Sequence, residues 1–221
     1  MPSTTTLIII LLLVFVLLFG RRILAVLLVR FVGRKALKAL GDNALARQPA
    51  SIVLSKVSAP AWGDPATIES LAAPLRASGF DDAGVFTVDK MPGVKVQILV
   101  NSAQGVAAHI YEHPKAGRWL ELVTRYPDGS LATLSTLPPT GLDRPSWMTT
   151  IHSEKASSQE LVQRLLRERP AKSPKPVTTG SAAREFELGY MAHMLWMKNK
   201  GLAVHEVAAV VKKWAEKKAG A

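Results

Sequence analysis

Between residues 94 and 100 the chain alternates. Val94, Val96, Ile98 and Val100 take one side, and Lys95, Gln97 and Leu99 the other. This period of two belongs to a half-buried strand and excludes an amphipathic helix. The same logic assigns strands at 85–88, 106–113, 118–126 and 130–137, with a further one at 148–153. Ile52-Val53-Leu54 is a short apolar opening. Turn chemistry separates the strands. Met91-Pro92-Gly93, Pro114 to Gly117 and Pro127-Asp128-Gly129 are each too short for a crossover. Neighbouring strands are therefore expected to run antiparallel, as a β-meander.

Two helices bracket the meander. Asp64-Pro65 offers an N-cap followed by proline at the first helical position, and Ile68, Leu71, Ala72 and Leu75 supply an apolar face. Ser157 with Glu160 is a capping box, leading into Leu161, Val162 and Leu165. Pro170 stops that helix. The expected fold class is α+β: a helix, five or six antiparallel strands and a second helix, with both helices on one face of the sheet. Residues 51–170 form this domain, and 171–180 is a polar linker with Pro174 and Pro176. Residues 181–221 are expected as an αα-hairpin tail, one helix to Lys200, a break at Gly201, and a second from Leu202 to Lys218.

The N-terminus is of a different kind. Residues 7–19 carry no polar side chain, and with their neighbours give an apolar stretch of about 17 residues, or about 26 Å of helix. That is the short end of a spanning segment. No basic residue precedes it, and Phe19-Gly20-Arg21-Arg22 is a poor cleavage site, so a retained transmembrane anchor over 1–20 is expected rather than a signal peptide. Arg21, Arg22, Arg30, Arg34, Lys35 and Lys38 follow the span directly. Positive charge is retained on the cytoplasmic side. The expectation is a single-pass protein with its N-terminus outside and its domain in the cytoplasm. Residues 21–50 read as a basic amphipathic juxtamembrane helix at the lipid bilayer, with 41–50 as a connector.

The net charge of +11 raises the question of nucleic acid. Its distribution answers it. Residues 1–40 hold six Lys or Arg and no acid, residues 41–170 hold 13 of each sign, and residues 171–221 hold nine basic and four acidic. A domain that reads DNA carries its basic excess itself. Here the domain is neutral and the arms are basic, so no nucleic-acid partner is expected. The chain has no cysteine, which excludes disulfides and thiol chemistry.

No catalytic, cofactor-binding or metal motif stands out, and no cofactor is expected. His109 and His113 are four apart, a metal spacing only on a helix; on a strand they lie about 13 Å apart. Placed on a strand, His109, Tyr111 and His113 share a face. Tyr190, Met194, Trp196, Met197 and Trp214 are the candidate interaction residues, because methionine-rich helix faces adapt to varied partners. Amphipathic helices more often bury such a stripe within their own chain.

Three functions are therefore in view. The first is a membrane-anchored interaction or scaffold module that binds a protein partner, or a second copy of itself, through its C-terminal helices. The second is a small-ligand- or lipid-binding domain at the membrane surface, using the sheet face left open by the helices. The third is an enzyme with a dispersed site among His109, His113 and His152.

Overall fold

A computed structural model describes residues 33–219 except 155, with side chains only as far as 213. The fold is α+β: a seven-stranded, mostly antiparallel sheet with five helices among the described residues. In chain order these are α1 (33–46), β1 (Leu54–Val57), α2 (Pro65–Ala77), β2 (Asp81–Val88), β3 (Lys95–Asn101), β4 (Val106–His113), β5 (Gly117–Arg125), β6 (Leu131–Ser135), β7 (Met148–His152), α3 (Ser158–Glu168), α4 (Ala182–Lys200) and α5 (Val204–Ala219). The described chain divides into two compact units, residues 48–200 and residues 33–47 with 201–219.

In the larger unit the strands lie side by side in the order of the sequence. Five of the six pairings are antiparallel: the four from β2 to β6 as their short turns require, and β1–β2 across the connection that carries α2. The sixth departs from the expected all-antiparallel meander, since β7 runs parallel to β6, pairing Leu131 with Met148 and Ser135 with His152. The Pro-rich stretch 136–147 is long enough to carry the chain back to the start of β6, which a hairpin turn cannot do.

Helices α2 and α3 cover one face of the sheet, as expected. Asp64 caps α2 by accepting the amide of Thr67 at 3.1 Å, with Pro65 at the first helical position. The Ser157–Glu160 capping box opens α3. Ile68, Ala72 and Leu75 of α2 and Leu161, Val162 and Leu165 of α3 pack on Ala108, Ile110, Leu120, Leu122, Ala132 and Leu134. Both capping signals and both apolar stripes were local, so the sequence displayed them.

The opposite face is not left open. Helix α4 returns across it, burying Ala182 and packing Phe186 and Tyr190 against Val96, Ile98, Val100 and Phe86. Long-range bonds fix it. Glu187 accepts the amide of Leu54 at 2.8 Å, and the Tyr190 hydroxyl donates to Pro49 O at 3.0 Å. The tail was expected as a hairpin beyond a linker at 171–180. In the structure the division falls at Gly201, and α4 belongs with the sheet, because β1 to β3 present an apolar second face that needs covering.

In the smaller unit α1 runs through the expected connector to residue 46. Gly41 does not end it. A β-carbon there would stand 2.6 Å from Val207 Cγ2 and 3.3 Å from Leu202 Cβ, so its missing side chain is what lets α5 approach. Arg34, Lys35 and Lys38 are exposed on α1, with Lys38 Nζ 2.5 Å from Asp42. The expected anchor, with Arg21, Arg22 and Arg30, lies outside the described residues. Among the described residues no helix is long and apolar enough to cross a membrane.

Candidate functional site

Where α4 leaves β1–β3, it does not seal the face over β4–β7. A cleft of about 170 Å³ remains, lined by His109, Tyr111, Glu121, Arg125, Thr133, Arg144, Met148, Phe186 and His193 among others. Strand alternation explains the lining. On β5, Leu120, Leu122 and Thr124 face α2 and α3, so Trp119, Glu121, Val123 and Arg125 face the other way. On β4, Ala108 and Ile110 point to the helices, which turns His109 and Tyr111 into the cleft. The register sets His109 opposite Glu121 and Tyr111 opposite Trp119.

The polar groups in this wall are arranged as a network. The Tyr111 hydroxyl donates to Glu121 Oε2 at 3.0 Å, and its ring stacks on Trp119 at 4.4 Å. Burial raises the Glu121 carboxyl above its ordinary value, against the bond from Tyr111 and the nearby Arg144 and Arg125. Burial likewise raises the Tyr111 phenol, with the Glu121 charge adding to it. His109 is 4% exposed and meets the Phe186 ring edge to face at 4.9 Å. Burial, aided by the Arg125 charge, lowers its pKa to about 3, so it is neutral at physiological pH. Its Nδ1 has no hydrogen-bond partner among the described residues. His193 across the cleft repeats this: an unpartnered Nδ1, and a pKa lowered by burial and then by Arg144. A buried polar atom left without a partner is uncommon in a folded protein and costly unless something outside the chain satisfies it.

Two cations belong to the same wall. Arg125 rises from the sheet under α4, with its Nε 3.8 Å from Glu185 Oε2. It fits because residue 189 is glycine: a β-carbon there would lie 1.9 Å from Nη2. A glycine inside a helix costs about 1 kcal/mol against alanine, and this close approach accounts for it. Arg144 is exposed at the rim, where its Nη1 sits 3.5 Å from Met148 Sδ.

The residues singled out from sequence fall in different places. Met194 and Met197 are buried within the chain, Tyr190 is packed on the sheet, and Trp196 is half-buried with Lys200 Nζ 5.5 Å from its ring. The side chain of Trp214 lies outside what is described. Of the three histidines considered for catalysis, only His109 lines the cleft. His113 Nδ1 accepts the amides of Lys115 and Ala116, and His152 Nδ1 is 2.8 Å from Leu137 O. His109 and His113 do lie on one strand, which rules out their joint use as metal ligands. Glu121, Arg125, Arg144 and His193 were not anticipated. The first two were legible as the charged side of β5, opposite Leu120 and Leu122. The others depend on a loop and a helix returning to the sheet.

Comparisons with protein-family models, with curated proteins and with solved structures give no match. The functional reading therefore rests on the cleft itself.

Proposed function

We propose that the protein is a membrane-tethered binding module whose cytoplasmic domain holds a small ligand in the cleft between α4 and strands β4–β6. The observation that carries this reading is the buried His109 Nδ1, unpartnered in the wall of a concave site. Concave, largely apolar pockets with a few convergent polar groups are the usual form of a ligand site. The tether rests on residues 1–40, whose apolar run and following positive charges fit a single span. The hydroxyl–carboxylate pair of the cleft, Tyr111 with Glu121, has its phenol pushed well up by burial and so is held protonated, which favours binding over turnover.

The test is a thermal-shift screen of purified full-length protein in neutral detergent against water-soluble metabolites and lipids. A ligand at a hundred times its Kd adds about 2.7 kcal/mol of stability. The expected result is at least one such ligand whose effect disappears in His109→Phe. A screen without a single His109-dependent ligand would overturn the reading.

A second reading, docking of a protein partner, is favoured by one specific observation. Met191 and Leu195, one turn apart on α4, are 43% and 59% exposed. Crosslinking from intact membranes that captures a stoichiometric partner, lost in Met191→Ser/Leu195→Ser, would establish it.

A further inference from the structure

We infer that the ligand of this cleft is a small organic acid, its anionic head held by Arg125 and Arg144 and its apolar body lying against Phe186 and Met148. This rests on the cleft reading above and adds the ligand's chemical class. Three features of the wall carry it.

The first is the charge balance. Arg125 and Arg144 both line the cleft, and among the described residues Glu121 is the one carboxylate in its lining. That carboxylate already accepts the Tyr111 hydroxyl, and its burial favours the uncharged form. Among the described residues Arg144 makes no ion pair within 4 Å, and Arg125 has only the distant contact to Glu185 at 3.8 Å. Glu185 is itself held more closely by Lys175 at 2.7 Å. Positive charge is therefore in excess where a ligand enters. Guanidinium groups match carboxylates and phosphate monoesters through paired N–H donors.

The second is the unpartnered buried nitrogen. His109 and His193 are both kept neutral, and each presents an unbonded Nδ1. A neutral imidazole can donate or accept there according to its tautomer, so it can complete the coordination of an acid oxygen or a neighbouring hydroxyl. The third is Gly189, whose missing side chain leaves the space in which Arg125 lies under α4. A β-carbon would evict the guanidinium, so this helix position and the cation above the sheet are built for one another.

Isothermal titration of the full-length protein in neutral detergent with five probes tests this: benzoate, phenyl phosphate, inorganic phosphate, benzyl alcohol and benzylamine. Benzoate or phenyl phosphate is expected to bind about tenfold or more tightly than benzyl alcohol, the order of one charge-assisted pair. Whichever acid binds better identifies the head as carboxylate or phosphate. Inorganic phosphate, lacking the apolar body, is expected to bind more weakly than phenyl phosphate. Arg144→Gln, at an exposed position, is expected to lower acid affinity about tenfold while leaving the melting temperature unchanged, and Arg125→Gln to lower it further. Equal binding of benzyl alcohol, preference for benzylamine, or acid binding indifferent to Arg144→Gln would overturn the inference. If benzyl alcohol or benzylamine binds and depends on His109, the cleft reading survives and only the ligand class falls. If neither acid binds at millimolar concentration, the inference is overturned, and the cleft reading is decided by the broader screen.

Discussion

Replacement of Glu112 by glutamine should cost about 3 kcal/mol at neutral pH, and the cost should fade in acid. Glu112 lies on β4 with its carboxylate at the start of α2 and is almost fully buried. It accepts the amide of Gly63 at 2.9 Å, Lys95 Nζ at 2.9 Å and Arg118 Nε at 3.0 Å. Burial alone would raise its pKa. The Gly63 amide and then the two cations outweigh burial and hold the carboxyl at about 2, against an ordinary 4.5. Holding that group ionised contributes about 3 kcal/mol at pH 7. Because the folded value lies below the unfolded one, this stability is complete above pH 4.5 and is lost as pH falls toward 2. Glutamine keeps the shape but leaves Lys95 partly buried without its counter-charge and Arg118 with the longer contact to Asp64 at 3.5 Å. Urea unfolding of the full-length protein, followed by tryptophan fluorescence, reads the difference; Trp62, whose ring lies 5.7 Å from Lys95 Nζ, is a local reporter. The wild type and the variant should differ by about 3 kcal/mol at pH 7 and converge as pH approaches 2. Equal stability at pH 7, or a gap that does not change with pH, would refute the argument.

Other consequences of the structure are open to measurement. His109→Phe should make folding less sensitive to mild acid: the wild-type imidazole is neutral in the fold down to about pH 3, whereas an unfolded one takes a proton below 6.5, so wild-type stability falls across that window and the variant's, read by urea unfolding at pH 7 and 4, falls less. Ser157→Ala removes the hydroxyl that accepts the Glu160 amide and should destabilise the protein by about 1 kcal/mol, measured at the unfolding midpoint in urea. Gly189→Ala improves helix propensity by about 1 kcal/mol, yet it should bring no gain in melting temperature and should abolish cleft binding, because its β-carbon displaces the Arg125 guanidinium.

Much of this fold was legible because its signals are local. Alternation at Val94–Val100, the turn at Asp128-Gly129 and the capping box at Ser157 each lie within a few residues, and the strands and helices follow them closely. The parallel β7 was not legible, since direction depends on where the 136–147 stretch ends rather than on the pattern of Met148–His152. Nor was the placement of α4. The stripe that includes Tyr190, Met194 and Met197 predicted burial, but not against which surface. The cleft was half-visible: alternation gathers His109, Tyr111, Glu121 and Arg125 on one side, whereas Arg144 and His193 join them only through tertiary return.

The order of the strands bears on how the molecule assembles. Every strand bonds to its neighbour in sequence, so the sheet and its α2–α3 layer can form by closing small loops, at low entropic cost. The bonds from α4 to Leu54 and Pro49 instead span most of the unit in sequence. They close a long loop, at a higher entropic cost, and are expected to form after the sheet they rest on. The wall that carries Phe186, Gly189 and His193 is thus expected to be the last to arrive and the first to lift away. Amide hydrogen exchange along α4 should consequently be faster than in β3–β5, and a molecule in the cleft would act as a latch, slowing exchange in that helix while leaving the strands beneath it unchanged.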